Sequence, residues 1–294
     1  MIRTLVPILG VCVLSAVGSS AAQHRAPGLS KAIRDAIQFH KSGKYLGEDK
    51  IMGGTFAVAG DNPWQVALVV GDTILAPRIL FCGGSIVSKD LVITAAHCVD
   101  EGTPEQAVDV VVGATKLATE GKRVAVQSIW IDPDYNKGQY RAHDVAVLKL
   151  TEDVSALTDP IDIANEADDA ALTEGRSVRV TGWGAPGQGA GAVRDLRTVD
   201  LMLISTKHCN DPVAYAGAVG SSMICAGWPK GGRNSCQGDS GGPMSSMLGG
   251  SRRLVGIVSW GRECELTDKF GVYARVTVLS WARKCAADNS QCKM

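Results

Sequence analysis

Excess charge of either sign is missing from this sequence. Its 30 Lys and Arg balance 30 Asp and Glu over 294 residues. That argues against a broadly cationic nucleic-acid binder, whose phosphate contacts need clustered Lys and Arg. No C-x-x-C pair occurs among the cysteines, which argues against a zinc ribbon or a thioredoxin-type site. After residue 22 no stretch is apolar enough to cross a bilayer, which takes about 20 residues. Aromatic residues are scarce at 5%, while the 34 glycines and 11 prolines point to many turns. The glycines show no three-residue period, so a collagen-like chain is excluded. Hydrophobic residues make up 45%, enough for a large core and far from a disordered composition.

Residues 1–22 form a separate object. Arg3 gives a positive start, Leu5 to Val17 is apolar, and Ser20-Ala21-Ala22 is a small-residue cleavage site. This is the pattern of a secretory signal peptide, and it predicts an extracellular or periplasmic protein with no membrane attachment after cleavage. Of the nine cysteines, Cys12 leaves with that segment. The remainder, Cys82, Cys98, Cys209, Cys225, Cys236, Cys264, Cys285 and Cys292, is an even set suited to disulfides in an oxidising compartment.

Residues 23–50 hold six basic residues against three acidic ones. Leu29, Ile33, Ala36, Ile37 and His40 recur at helical spacing, with Ser30 placed to cap the start and Gly43 to end the helix. The position suits a removable pro-segment. From Ile51 onward short Val/Ile-rich runs alternate with Gly, Asp, Asn and Pro. Examples are 64–70, 91–95, 108–112, 124–131, 145–150, 178–181 and 254–260. They predict an antiparallel barrel or sandwich. The acidic, irregular stretch 151–173 reads as a connection between two halves, and Val278–Ala287 as the one convincing helix after residue 50.

Three segments carry the components of nucleophilic catalysis: Thr94-Ala95-Ala96-His97-Cys98, His143-Asp144-Val145-Ala146 and Gly238-Asp239-Ser240-Gly241-Gly242-Pro243. Amide hydrolysis needs a nucleophile, a base to take its proton and an anion to orient that base. Ser240, His97 and Asp144 supply one of each. Gly238 permits a turn that can aim N–H groups at an oxyanion. His143 is read as structural, on the reasoning that strand neighbours face opposite ways. His208 has no visible role. The loose dinucleotide pattern in residues 187–192 lacks a following helix and is read as a loop.

With these segments in view, the sequence resembles the trypsin/chymotrypsin family of serine proteases from about Ile51 to Ala282. Ile51-Met52-Gly53-Gly54, Cys82-Gly83-Gly84-Ser85, Thr181-Gly182-Trp183-Gly184, Cys225-Ala226-Gly227, Ser259-Trp260-Gly261 and Gly271-Val272-Tyr273 extend the likeness in family order. The resemblance implies an all-β fold of two six-stranded antiparallel barrels with a C-terminal helix, over residues 51–294. His97 and Asp144 would lie in the first barrel and Ser240 in the second. It implies an oxyanion hole from the N–H groups of Gly238 and Ser240. Ser259 would support Asp144, and Ser259, Trp260 and Gly261 would pair with substrate backbone. Asn234 would stand at the base of the primary pocket, and Gly271 would help keep that pocket open.

The same resemblance implies a zymogen cleaved between Lys50 and Ile51, with the new Ile51 amino group pairing with Asp239. It implies the disulfides Cys82–Cys98, Cys209–Cys225 and Cys236–Cys264. A fourth pair, Cys285–Cys292, rests on elimination and closeness in sequence. The sequence departs from the family at Val178 and Ser246, where many members carry a disulfide, and at Asn234, where Lys/Arg-preferring members have Asp. Glu263 replaces a Gly near the pocket entrance. Calcium-binding members have an acidic loop in the first barrel, and the stretch Gly113-Ala114-Thr115-Lys116 lacks its leading carboxylate. No calcium site is therefore expected there, and the reading includes no other metal and no cofactor. The expected partners are protein or peptide substrates, an activating protease and protein inhibitors, for a monomeric enzyme. The alternatives are a catalytically silent homologue acting as a binding module and an acyl hydrolase. Gly-Asp-Ser-Gly-Gly is not the nucleophile elbow of the latter.

Overall fold

The structure, a computed structural model, describes residues 28–42, 54–75, 77–185, 192–228, 238–262 and 268–292. The signal peptide, Lys50, Ile51, Asn234, the Cys236–Cys264 pair, Glu263 and most of the 187–192 loop lie outside them.

Helix α1 (Lys31–Lys41) comes first, capped by Ser30, whose side chain accepts from the Ile33 N–H. It ends at Ser42, whose N–H returns to the Gln38 carbonyl. The expected stop at Gly43 lies outside the described residues. Ile33 is fully buried, and Leu29, Ala32, Ala36 and Ile37 pack on the same core. The apolar face read from the sequence is thus the buried face.

After the short β1 (Thr55–Phe56), six strands follow: β2 (Gln65–Val70), β3 (Leu80–Ile86), β4 (Leu91–Thr94), β5 (Val108–Val112), β6 (Lys122–Ile131) and β7 (Ala146–Leu150). They close into an antiparallel barrel in the order β2-β3-β4-β7-β6-β5. Strand β2 is buried along its whole length because both of its faces are covered. Val66, Leu68 and Val70 point into the barrel core, while Ala67 and Val69 join Trp183, Val193 and Leu196 of the second half. This two-residue alternation joins the halves through an apolar contact. Burying each such branched side chain contributes about 1.5–3 kcal/mol.

The second half begins at β8 (Asp162–Ile163) and continues with β9 (Ser177–Gly182), β10 (Arg197–Ile204), the single turn α2 (Thr206–Cys209), β11 (Met223–Gly227), β12 (Pro243–Leu248), β13 (Ser251–Trp260) and β14 (Gly271–Arg275). Strand β9 pairs with both β10 and β12, so β9-β10-β11-β14-β13-β12 closes on itself. The two six-stranded barrels that the family resemblance implies are therefore present. Helix α3 (Ser280–Ala287) lies back against β4 and β7 of the first barrel. Helix α2 corrects the reading of a single helix after residue 50, though it is only one turn.

The 151–173 connection is more ordered than its composition indicates. Residues Glu166–Ala171 form a 3-10 turn with a capping box between Asn165 and Asp168. Its carboxylates then tie it to the second barrel: Asp168 accepts from Arg253 at 2.8 Å and Asp169 from Arg275 at 2.6 Å. The acidic residues hold the connection in place rather than merely solvating it.

Disulfides join Cys82–Cys98, Cys209–Cys225 and Cys285–Cys292. Val178 and Ser246, the positions where a family disulfide is missing, are both buried on the paired strands β9 and β12. Ser246 Oγ instead donates to the Ser177 carbonyl at 3.0 Å.

Candidate active site

His97 stands on a 3-10 turn, Ala96–Cys98, at the end of β4. The disulfide from Cys98 to Cys82 in β3 braces that turn. Asp144 lies just before β7 and is completely buried. Its Oδ1 accepts the His97 backbone N–H at 2.9 Å, and its Oδ2 lies 2.8 Å from His97 Nδ1. The hydroxyl of Ser259, on β13, donates to the same Oδ2. Burial alone would push the Asp144 carboxyl up. The His97, Ser259 and Arg141 side chains outweigh it and hold the carboxyl below its ordinary value. An ionised Asp144 accepts from Nδ1–H, which leaves Nε2 free to take a proton.

Ser240 sits in a turn pinned from both barrels. Its carbonyl accepts from the Gly83 N–H of β3 at 2.7 Å, and the next residue's N–H reaches the Val258 carbonyl of β13 at 2.8 Å. Gly241 has φ +78°, and a Cβ there would stand 2.2 Å from Thr94 Oγ1. Only glycine fits, because both the backbone and the space demand it. The Asp239 carboxylate lies against the backbone of residues 182–184 and accepts from the Gly184 N–H at 2.9 Å. Cβ atoms added at Gly182 or Gly184 would come within 2.2 and 2.5 Å of Asp239 Oδ1.

Ser240, Gly238 and His97 border one cleft of about 670 Å³. Among the described residues no hydrogen bond links Ser240 to His97. Such bonds are often long before substrate binds. Trp260 stacks edge-on against Tyr215, with ring centres 4.9 Å apart, and against Tyr140 at 6.1 Å. Gly261 lies beside Phe270 and Tyr215, and Gly271 opens β14.

The Trypsin family model matches residues 51–282. A trypsin of Saccharopolyspora erythraea is 36% identical over 227 residues, covering 77% of this chain and 93% of that protein. Trypsin-1 of Astacus astacus is 36% identical, covering 77% of this chain and 95% of its own. Coagulation factor IX of Cavia porcellus is 35% identical, covering 78% of each. This chain belongs to the trypsin family. It is a serine-type endopeptidase.

Within this trypsin-family chain, the structure brings His97, Asp144, Ser240, Gly238, Asp239 and Ser259 together at the junction of the barrels. Three features of the site escaped the sequence reading. Arg141 donates to the Ser259 carbonyl and is one of the charges holding Asp144 low. Tyr135 OH donates to Asp100 Oδ2 at 3.0 Å beside the cleft. Residues of α1 also border the cleft. No local motif marks any of the three.

His143 needs a correction of its premise. It is in a turn with φ +54°, before β7 begins at Ala146, so strand alternation does not apply. Its backbone N–H donates to Ser222 Oγ at 3.2 Å, and its Nδ1 lies 3.7 Å from Asp132. His208 lies 3.4 Å from Glu174 and edge-on to Phe270. Among the described residues, two groups bring three metal-ligating side chains together. Cys82, His97 and Cys98 have both sulfurs in a disulfide; the other group is Asp132, Asp134 and His143. The loop near Thr115 is closed by Glu120, which accepts from the Thr115 and Lys116 N–H groups at 2.9 and 2.8 Å.

Proposed function

We propose that the chain is exported as a zymogen and, once cleaved, hydrolyses peptide bonds through a Ser240–His97–Asp144 triad. The hydrogen-bonded set His97–Asp144–Ser259, facing the same cleft as Ser240, carries this reading. His97 Nε2 takes the Ser240 proton as Oγ attacks the substrate carbonyl carbon. The backbone N–H groups of Gly238 and Ser240 receive the oxyanion. His97 then passes the proton to the leaving amine, and the acyl group stays on Ser240. Water repeats the sequence in reverse and frees the acid.

Activation in this reading is cleavage after Lys50, with the Ile51 amino group moving in to pair with Asp239. The family model begins at residue 51, which supports that boundary. Residues 1–22 serve export, 23–50 are the pro-segment, and the enzyme works on proteins or peptides as a monomer. Ser259–Gly261 align the substrate backbone and Asn234 meets the side chain before the scissile bond. Among the described residues no helix is long and apolar enough to cross a membrane.

The test is peptide hydrolysis by the protein cleaved at Lys50. Ser240→Ala should lower kcat by roughly 10⁶, and a serine-directed phosphonylating reagent should label Ser240 alone. Full peptidase activity in Ser240→Ala would end the triad reading. Activity in Lys50→Gln would end the activation reading.

A further inference from the structure

We propose that residues 28–42 are not discarded on activation. They stay docked after cleavage at Lys50 and form the wall of the substrate cleft on the leaving-group side. This rests on the peptidase reading above and adds a subsite to it.

The contact has the character of a core. Ile33 is fully buried among first-barrel side chains, with Leu29, Ala36 and Ile37 packed on the same cluster. Ser30 is also fully buried. Its N–H donates to Thr103 Oγ1 at 2.9 Å and its hydroxyl to the Cys98 carbonyl at 2.7 Å. Arg34 adds an ion pair with Glu101 at 2.6 Å. These partners directly follow His97 on the loop that carries it, and α1 also lies against that turn and β3. The described disulfides all join cysteines beyond residue 80, so this segment is held by packing and hydrogen bonds.

The helix lines the cleft without filling it. Lys31, Asp35 and Phe39 of α1 share the 670 Å³ cleft with Phe81, His97 and Ser240. In the peptidase reading the acyl side of the substrate runs along Ser259–Gly261. Tyr140 and Arg141 border the cleft on that side, through Trp260 and the Ser259 carbonyl. Helix α1 packs instead on β3 and the His97 turn, which leaves it the side where the departing amine lies. Its exposed charges there are Lys31 and Asp35, paired with each other one turn apart. They offer one group of each sign to the residues after the scissile bond.

The experiment uses the full precursor carrying Leu46→Asp, Gly47→Asp and Glu48→Asp, so that an enteropeptidase-type protease cuts after Lys50. With Ser240→Ala added, native gel filtration and mass spectrometry of the cut protein should find residues 23–50 co-eluting with 51–294. Ile33→Asp should release them. This readout needs no activity, so it survives failure of the peptidase reading. With Ser240 intact, fluorogenic peptides are held constant before the scissile bond and varied over three positions after it. Lys31→Gln should favour basic residues there, and Asp35→Asn acidic ones, each by threefold or more. The preference before the bond should not move. Loss of the segment on cleavage overturns the proposal. Retention with no change in the leaving-group profile also overturns it, since the helix would then be packing alone.

Discussion

Ser259 and Asp144 are 115 residues apart and come from different barrels, yet the hydroxyl of one donates to the buried carboxylate of the other. The same Oδ2 accepts from His97 Nδ1 at 2.8 Å. One oxygen therefore depends on the packing of both barrels. A hydrogen bond to a charged group contributes about 1.5–3 kcal/mol, equivalent to about ten- to a hundredfold in rate. Ser259→Ala should lower kcat by that factor and lower the melting temperature. Unchanged kcat and unchanged melting temperature would show that Ser259 does not support the carboxylate.

Asp144 also predicts a pH dependence. Its carboxyl is held below the ordinary value in the folded chain, so folding favours the ionised form. The stability this gives is complete above the ordinary aspartate range and is lost as pH falls through the depressed folded value. Asp144→Asn removes the titration. The stability gap between wild type and Asp144→Asn should therefore narrow as pH falls below the ordinary aspartate range, read by urea unfolding at each pH. Asn would also present the wrong hydrogen to Nδ1, and kcat at neutral pH should fall roughly 10⁴-fold, the size this change has in Ser-His-Asp triads. A gap that widens in acid would contradict the sign argued here.

The Asp239 cradle yields a steric prediction. A Cβ on Gly184 would overlap Asp239 Oδ1 at 2.5 Å and the Asp239 backbone nitrogen at 2.7 Å. The backbone cannot yield as a flexible side chain could. Overpacking of this kind costs about 1–3 kcal/mol, and the strain falls on the residue beside Ser240. Gly184→Ala should fold, melt lower and lose at least about tenfold in kcat. Gly175→Ala is the contrast: at φ +82° it strains the backbone, but no atom lies within 4 Å of the added Cβ, so it crowds nothing and its activity should hold. Equal activity in both variants would show that the cradle is not needed for catalysis.

The catalytic candidates were legible because each stands in a short motif that chemistry constrains. The all-β fold was legible because β5 is a run of Val and Asp109 with clear breaks on either side. Strand β3 is not legible in this way. Cys82-Gly83-Gly84 has no β-branched signal, yet a Cβ on Gly84 would stand 2.8 Å from a methyl of Val92. Close packing of neighbouring strands chose the glycine, and that distance exists only in the folded barrel. Strand β12 was hidden in the same way behind Pro, Met and Ser. Arg141 was invisible for another reason: its partner is the backbone carbonyl of Ser259, 118 residues away. The apolar face of helix α1 is legible in the sequence, because Leu29, Ile33, Ala36 and Ile37 recur at helical spacing. Its partner could not be read, since an apolar face does not name what covers it.

In the trypsin family the base of the primary pocket is set six positions before the nucleophile, and in this chain that position lies outside the described residues. Six positions before Ser240 stands Asn234, in Asn234-Ser235-Cys236-Gln237-Gly238. Lys/Arg-preferring members carry Asp there. Asn has a similar shape and no charge, so a substrate Lys or Arg buried against it would lack a counter-ion. Breaking a buried pair costs about 3–5 kcal/mol, and each 1.4 kcal/mol is about tenfold in rate. The protein cleaved at Lys50 should therefore prefer a large neutral or polar residue before the scissile bond and cut weakly after Lys or Arg. It should activate itself poorly, because Lys50 is itself such a site. Asn234→Asp restores the counter-ion and should raise kcat/KM for Arg and Lys substrates by about a hundredfold or more. A peptide library varied at that one position reads both enzymes. A wild-type preference for Arg or Lys of a hundredfold, unchanged in Asn234→Asp, would place the charge on another residue. Glu263 is then the first to replace, as Glu263→Gln.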